Sequence, residues 1–107
     1  MLAKLTEVRA VRIICDSVLK DDLLQHLHDL GATGWTWWRA HGKGEHTTDD
    51  GLFNESPQMY LEVWCHTAVA EKIMKYCNSS HFTHIGMAAG VTPLYVSAAQ
   101  AKALGPA

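Results

Sequence analysis

Residues 31–44 read Gly-Ala-Thr-Gly-Trp-Thr-Trp-Trp-Arg-Ala-His-Gly-Lys-Gly, and this stretch links a helix, a strand and a polar loop. Gly31 follows an apolar helical pattern and suits the position just past a helix end, where the backbone often takes a left-handed conformation. Gly34 lets the chain turn directly into a predicted strand over residues 35–39. In the run Gly42-Lys43-Gly44, two residues without Cβ atoms flank a cation, which lets backbone N–H groups approach an anion closely. The stretch therefore predicts a helix-to-strand junction followed by a candidate phosphate site.

Length and composition narrow the class of protein. The 107 residues suit a single domain, 1–107, that buries about two-thirds of its unfolded surface. Nine Lys and Arg against eleven Asp and Glu give a net charge of −2, so no basic field indicates nucleic acid as a partner. Cys15, Cys65 and Cys77 form no C-x-x-C pair, so we expect three buried thiols in a reducing compartment. Since no signal peptide and no run near ~20 apolar residues is present, we expect a cytoplasmic protein without membrane insertion.

The hydrophobic periodicity predicts two strand–helix units. Val8–Cys15 indicates a first strand, and Asp16 and Ser17 can cap the helix that follows. Four leucines recur at spacings that place them on one face of this helix: Leu19, Leu23, Leu27 and Leu30. Gln58–His66 alternates between apolar and polar residues, which indicates another strand, and Thr67 can cap a second helix. The apolar stripe of that helix consists of Val69, Ala70, Ile73, Met74 and Cys77.

The C-terminal quarter predicts two more strands and a tail. Phe82–Ala89 can supply a fourth strand, and Gly90 can form a bulge before a further strand over Val91–Val96. Ser97 can cap a short helix over Ala98–Leu104. Residues 97–107 are therefore predicted to form a C-terminal tail.

The tryptophan-rich strand and the loop after it are the least ordinary features. Alternation sends Trp35 and Trp37 to one face of the strand, and Thr36 and Trp38 to the other. Three tryptophans within four residues are more aromatic surface than a small core can bury. Part of this surface is therefore expected to contact another subunit. The polar loop 41–57 is longer than an ordinary connection, which predicts a functional loop that is flexible without a ligand.

The order strand, helix, strand, strand, helix, strand predicts an α+β fold, a ferredoxin-like βαββαβ sandwich. Its antiparallel sheet carries both helices on one face. Trp38, Tyr60 and Trp64 fall on the other face, which favours burial of that face in an oligomer. The architecture by itself names no function.

With these residues in place, the sequence resembles the PII-like signalling proteins, small trimers of this fold. The matching features are the glycines and threonine of residues 31–36, the loop entry Gly42-Lys43-Gly44, and Leu61-Glu62-Val63 on the strand before the second helix. The resemblance runs from about Val8 to Val96. Within the family the chain looks closest to the carboxysome-associated, bicarbonate-transport-regulator branch.

The resemblance implies a homotrimeric sensor that binds adenine nucleotides in clefts between subunits and signals through loop 41–57, the T-loop of the family. It implies no catalysis and no metal. ADP or AMP is the favoured nucleotide, with ATP and cyclic AMP left open. Bicarbonate is the expected second ligand, held by Arg39 and Lys43, and the expected partner is a bicarbonate transporter or a carboxysome-linked protein. The nucleotide-binding residues that the resemblance implies are Ile14, Gly34, Trp35, Thr36, His41, Gly42, Lys43, Gly44, His46, Glu62, Trp64, Ile85, Gly86 and Met87.

Four departures from the family pattern bear on which ligand and which partner are expected. Ala88 or Ala89 replaces a basic residue, and the last strand lacks a pair of arginines. Since each phosphate-to-cation hydrogen bond is worth about 1.5–3 kcal/mol, these losses favour AMP or ADP over a triphosphate. Loop 41–57 contains no tyrosine to modify, and no C-terminal disulfide hairpin is present.

Other classes of function stay open at this point. A metal-binding trimer like the copper-tolerance proteins could use His81 and His84, or Cys65 and His66, but neither spacing brings two ligands to one ion. A small ferredoxin-like enzyme would need a nucleophile, a base and an orienting group, and no such set stands at a recognised spacing. A trimer that binds only proteins is the third alternative.

Overall fold

The fold is a four-stranded antiparallel sheet with helices on both faces, seen in a computed structural model that describes residues 4–42, 56–79 and 87–107. The strands are β1 (Leu5–Asp16), β2 (Thr36–Gly42), β3 (Ser56–Cys65) and β4 (Ala88–Ser97). The helices are α1 (Lys20–Asp29), preceded by one 3-10 turn (Ser17–Leu19), α2 (Thr67–Cys77) and α3 (Ala98–Ala103). The strand order is β2-β3-β1-β4 with every neighbouring pair antiparallel, which confirms the predicted ferredoxin-like arrangement.

The inner face of the sheet, covered by α1 and α2, carries the main core. Alternate residues of the two central strands point into it, and all are buried: Val11, Ile13, Cys15, Met59, Leu61, Val63 and Cys65. From above, Leu23 and Leu27 of α1 and Ala70, Ile73 and Cys77 of α2 close this core. The alternation along β3 therefore predicted the correct buried residues, and the leucine spacing predicted Leu23 and Leu27 correctly, whereas Leu19 and Leu30 are only partly buried.

The cysteines confirm the expectation of three buried thiols. Cys15, Cys65 and Cys77 are free and belong to the core. Burial raises the pKa of the Cys15 and Cys65 thiols to about 11 and that of Cys77 to about 12. Because the thiolate is the reactive form, all three are chemically quiet near neutral pH.

The predicted helix starts are half right. The Asp16 carboxylate accepts a hydrogen bond from the Val18 N–H at 2.9 Å, which confirms the cap before the first helix. Thr67 does not cap the second helix. It is the first helical residue, and the capping position belongs to His66, whose side chain makes no capping bond. His66 is instead committed to the tail, as described below.

The predicted division of the C-terminal strands is wrong. β4 runs unbroken from Ala88 to Ser97, and its register with β1 is continuous through Gly90, which pairs with Arg12. No bulge forms there, because Ala89, Gly90 and Val91 each pair with one residue of β1 and no extra residue is left unpaired. The part of the predicted fourth strand over residues 82–86 lies outside the described residues.

The tail packs on the outer face of the sheet, not along an edge. Ser97 Oγ accepts from the Gln100 N–H at 3.1 Å and so caps α3, as predicted. Ala101 of this helix is buried against Val8 and Val96, and Leu94 and Leu104 pack around them in a second, smaller core. In the described part of the chain, no helix is long and apolar enough to cross a membrane.

The tryptophans remain exposed in the single chain, as their number predicted. Trp35, Trp37, Trp38 and Trp64 are between 37% and 44% exposed. Trp38 stacks on Tyr60 across the outer face, with ring centroids 4.4 Å apart. Trp35 departs from its predicted place, because β2 begins one residue later and leaves Trp35 free to turn toward the outer face.

Gly31 and Gly34 lie in the junction between α1 and β2, and substitutions at these two positions test what the backbone requires there. Gly31 has φ of 109°, and an added Cβ would lie 3.2 Å from Val69 Cγ2, whereas Gly34 has no positive φ and an added Cβ meets nothing within 4 Å. We expect Gly31→Ala to lower the free energy of unfolding by about 1–2 kcal/mol and Gly34→Ala to leave it level or raise it by less than about 1 kcal/mol. Urea unfolding of ligand-free protein measures both, and equal losses in the two variants would contradict this explanation.

Candidate functional site

A cleft of about 300 Å³ opens on the outer face, between the loop before β2, strand β3 and the tail. Aromatic, hydroxyl and carboxylate groups line it, and no lysine or arginine does so among the described residues. The lining residues are Thr33, Gly34, Trp35, Thr36, Trp38, Glu62, Trp64 and Leu104. Such a surface suits a flat, uncharged ring that carries hydrogen-bond donors.

The strand register brings the central residues of the cleft together. Thr36 on β2 lies directly opposite Glu62 on β3, so their side chains share the outer face. Trp64 is two residues further along β3 on the same face, and Trp35 approaches from the turn before β2. Since Gly34 needs no special backbone conformation, its missing side chain leaves room at the cleft. Five residues predicted from scattered positions thus meet at one place.

Glu62 is held as a carboxylate by neighbours on both sides. Its Oε2 accepts from Trp64 Nε1–H at 2.9 Å, and its Oε1 accepts from Arg12 Nε at 2.9 Å. These two bonds, the first more strongly, hold the Glu62 pKa below its ordinary value. Arg12 also donates to Thr92 Oγ1 at 3.2 Å, so the network extends across three strands. The network fixes the indole of Trp64 as one wall of the cleft.

Leu104 is a lining residue that the sequence analysis did not identify. It reaches the cleft because α3 docks on the small outer core and because Nε2 of His66 donates to the Ala101 carbonyl at 2.8 Å. Gly105, with φ of 94°, then brings the chain against Thr33, where an added Cβ would lie 3.5 Å from Cγ2. The capping signal at Ser97 predicted a helix, but where a short helix docks depends on tertiary contacts.

The remaining predicted nucleotide residues lie elsewhere or outside the described part. Ile14 pairs with Tyr60 and Ala88, four residues along β3 from Trp64, or roughly 14 Å away. Met87 lies at the same end of the sheet, and its side chain is buried in the main core. His41 and Gly42 form the far end of β2. Lys43, Gly44, His46, Ile85 and Gly86 lie outside the described residues.

Arg39 does not face the cleft. It pairs with Met59, whose side chain points into the main core, so Arg39 lies on the inner face with Trp37. The structure places it beside a different cavity, with Lys20. Its predicted role in binding bicarbonate together with Lys43 stays a prediction, because Lys43 lies outside the described residues.

The alternative metal site of Cys65 and His66 does not assemble either. Cys65 is buried in the inner core, while His66 bonds to the tail on the outer face. Across the described ranges, no three His, Cys, Asp or Glu side chains come together to hold a metal ion. His81 and His84 lie outside those ranges.

The sequence matches a protein-family model, which establishes the family of this chain. The model described as "Nitrogen regulatory protein P-II" matches residues 8–100, most of the chain. The chain belongs to the P-II family. No individually curated protein gives a significant match to this P-II chain.

Solved structures share the P-II fold with this chain. A Thermus thermophilus protein described as PII-like is 24% identical with a TM-score of 0.73, and the match covers 92% of this chain and 97% of that one. CPII of Thiomonas intermedia, bound to ADP and bicarbonate, is 17% identical with a TM-score of 0.76 over 92% and 97% of the two chains. Another CPII structure, bound to ADP, AMP and bicarbonate, is 16% identical with a TM-score of 0.73 over 88% and 97%. At such identities the likeness establishes the fold alone.

The Glu62 network predicts a pH-dependent tryptophan signal. Because the pKa of Glu62 is lowered on folding, its stabilising bonds are complete above the ordinary glutamate pKa of about 4.3 and are lost as the pH falls through the lower folded value. We expect Trp64 emission to change with a midpoint below about 4.3 while circular dichroism still reports folded protein.

Two variants assign that signal. Trp64→Phe should remove the transition, and Glu62→Gln should abolish its pH dependence because an amide cannot titrate in this range. An unchanged transition in Glu62→Gln would show that another group controls the fluorescence.

Proposed function

We propose that this P-II protein is a homotrimeric sensor that binds an adenine nucleotide, preferably ADP or AMP, in clefts between neighbouring subunits. The observation that carries the proposal is the cleft itself, where Gly34, Trp35, Thr36, Glu62 and Trp64 meet. These are residues that the family resemblance assigns to the nucleotide. Loop 41–57 reports the occupied state to a partner.

The chemistry of the cleft suits the adenine base and its sugar. The indoles offer faces and edges to a flat ring, and the ionised Glu62 accepts hydrogen bonds from an exocyclic amine or a ribose hydroxyl. Thr36 adds a hydroxyl. The cleft offers a phosphate group no free cation at this end, since no lysine or arginine is among the described lining residues and Arg12 is already paired with Glu62. The phosphates therefore extend away from the cleft.

The phosphate contacts come from the neighbouring subunit. The remaining proposed residues cluster toward the opposite end of the sheet, where Ile14 and Met87 lie and where β2 leads into Gly42-Lys43-Gly44. A half-site at each end of one protomer cannot enclose one ligand, but head-to-tail contacts in a closed ring join the two halves of adjacent copies. His41 and His46 join Lys43 on the phosphate side, and Ile85, Gly86 and Met87 offer backbone groups.

The exposed outer face supports the trimer. Trp38 and Tyr60 form an aromatic stack beside the partly buried Ile14, and α3 covers only the other end of this face. A contiguous apolar surface of this kind marks an interaction site. In a ring of three copies the stack lies at the subunit contact and forms the outer boundary of each cleft.

Bicarbonate is proposed as the second ligand, and the carboxysome-associated, bicarbonate-transport branch as the place of this protein in the family. The CPII structures that contain bicarbonate also contain ADP, which supports joint binding in a related fold. Lys43 and nearby backbone N–H groups are the proposed anion contacts. The partner would then be a bicarbonate transporter or a carboxysome-linked protein.

Ligand titration tests the nucleotide proposal directly. A ligand at 100 times its dissociation constant stabilises the protein by about 2.7 kcal/mol, so ADP or AMP should raise the melting temperature clearly. Calorimetry should show AMP and ADP binding more tightly than ATP, with bicarbonate increasing affinity. If AMP, ADP, ATP and cyclic AMP all leave the melting temperature unchanged, the sensor proposal fails.

Mixed trimers test whether the site is shared between subunits. Gly34→Val adds bulk to the base side of the cleft, and Lys43→Ala removes a cation from the phosphate side, so each variant alone should lose about tenfold or more in affinity. Co-expressed in equal amounts, the two variants restore wild-type affinity at about a quarter of the sites, because half-sites from adjacent copies combine at random.

The mixed trimers distinguish a site shared between subunits from a site within one protomer. If confirmed mixed trimers recover no high-affinity sites, the whole site lies within one protomer. Lys72→Ala, an exposed cation on α2, is the matched control and should bind like the wild type.

A further inference from the structure

A second cavity, of about 490 Å³, lies on the inner side of the sheet, between the start of the first helix and the β2–β3 pair. It is separate from the nucleotide cleft, because Trp37 and Arg39 alternate with Thr36 and Trp38 and so point to the opposite face of β2. Its lining residues are Ser17, Lys20, Trp37, Arg39, Ala40, Pro57, Gln58 and Met59. Nothing in the proposed sensor function uses these residues together.

The charge in this cavity is of one sign. Among the described residues that line it, Lys20 and Arg39 are the only charged ones, in a chain whose net charge is −2. Both ion pairs found among the described residues lie elsewhere, so neither cation is neutralised there. The nearby Asp16 carboxylate accepts from the Val18 N–H and is not among the lining residues. The cavity therefore attracts an anion.

An apolar wall stands beside the two cations. Lys20 Nζ lies 4.0 Å from the centroid of the Trp37 ring, which positions the ammonium by a cation–π contact. Trp37 points to the helix side of the sheet, but β2 is an edge strand and 40% of the residue stays exposed. Met59 forms a buried floor, and Ser17 adds a hydroxyl group at the rim.

We infer that this cavity binds an organic anion with a carboxylate or phosphate head group and a flat apolar body. The head group would take hydrogen bonds from Arg39 and Lys20, and the body would lie against Trp37 and Met59. The volume falls within the usual range of ligand pockets, roughly 300–1,000 Å³, and greatly exceeds the needs of bicarbonate. The inference goes beyond the nucleotide proposal and does not depend on it.

A matrix of small probes tests the two halves of this recognition. Benzoate and phenyl phosphate carry a ring and one of the two head groups, benzyl alcohol carries the ring without charge, and acetate and inorganic phosphate carry the head groups alone. Binding is followed in nucleotide-free protein through the four indole N–H signals of the NMR spectrum, assigned with Trp37→Phe. We expect benzoate, phenyl phosphate or both to shift the Trp37 signal with a dissociation constant on the order of 1 mM. Benzyl alcohol, acetate and inorganic phosphate should bind about tenfold more weakly. Whichever ring-bearing anion binds tighter identifies the head group.

Charge-neutral variants decide whether the two cations form the site. Lys20→Gln and Arg39→Gln should each weaken binding of the tighter probe by about tenfold, whereas Lys72→Gln on α2 should not. Arg39 and Lys72 are exposed and Lys20 is partly buried, so unchanged circular dichroism of each variant will confirm that it folds. The inference is overturned if no probe shifts Trp37 at about 10 mM, if benzyl alcohol binds as tightly as the anions, or if both cavity variants bind like the wild type.

Discussion

Burial of the inner sheet face between β1 and β3 is the interaction on which the rest of this protein depends. Full burial of each large aliphatic side chain contributes about 1.5–3 kcal/mol, and Ile13, Leu61 and Ile73 are all fully buried in this one core. Because side chains alternate strictly, a register slip of one residue would push Arg12 and Glu62 into that core. The same constraint that fills the core therefore fixes the charged and aromatic groups of the outer face. Glu62 meets both Arg12 and Trp64 because the core leaves them no other position.

The alternation of side chains along the edge strand β2 contributes residues to two different surfaces. Its outer-facing residues, Thr36 and Trp38, line the outer cleft that is proposed to bind the nucleotide, and its inner-facing residues, Trp37 and Arg39, line the cationic cavity. An edge strand can do this because neither helix covers its inner side completely, which leaves Trp37 partly exposed. Both surfaces border the strand that leads into loop 41–57. Ligands on either face would therefore act on the base of the loop proposed to signal.

The division of the proposed nucleotide site would give the proposed oligomer a function beyond stability. A small domain has one core and little room for a deep pocket of its own. The outer cleft has a volume of only about 300 Å³, and the groups proposed to bind the phosphates lie at the far end of the sheet. In the proposed trimer, a subunit contact would supply the missing wall without enlarging the domain.

The sequence by itself determined the sheet, the two main helices, their buried faces and the left-handed Gly31, since periodicities of 2 and 3.6 residues and the demands of backbone conformation are local properties. Its motifs also selected Gly34, Thr36 and Glu62, which the fold brings together. Tertiary structure alone decided that α3 would dock on the outer face and bring Leu104 to the cleft, and that β4 would pass straight through Gly90. It also decided that Arg39 would join Lys20 on the inner side, away from the cleft. These outcomes depend on strand boundaries and on contacts between distant segments, because a shift of one residue at the start of β2 changes where Trp35 lies and no local pattern records where a short helix finds its partner.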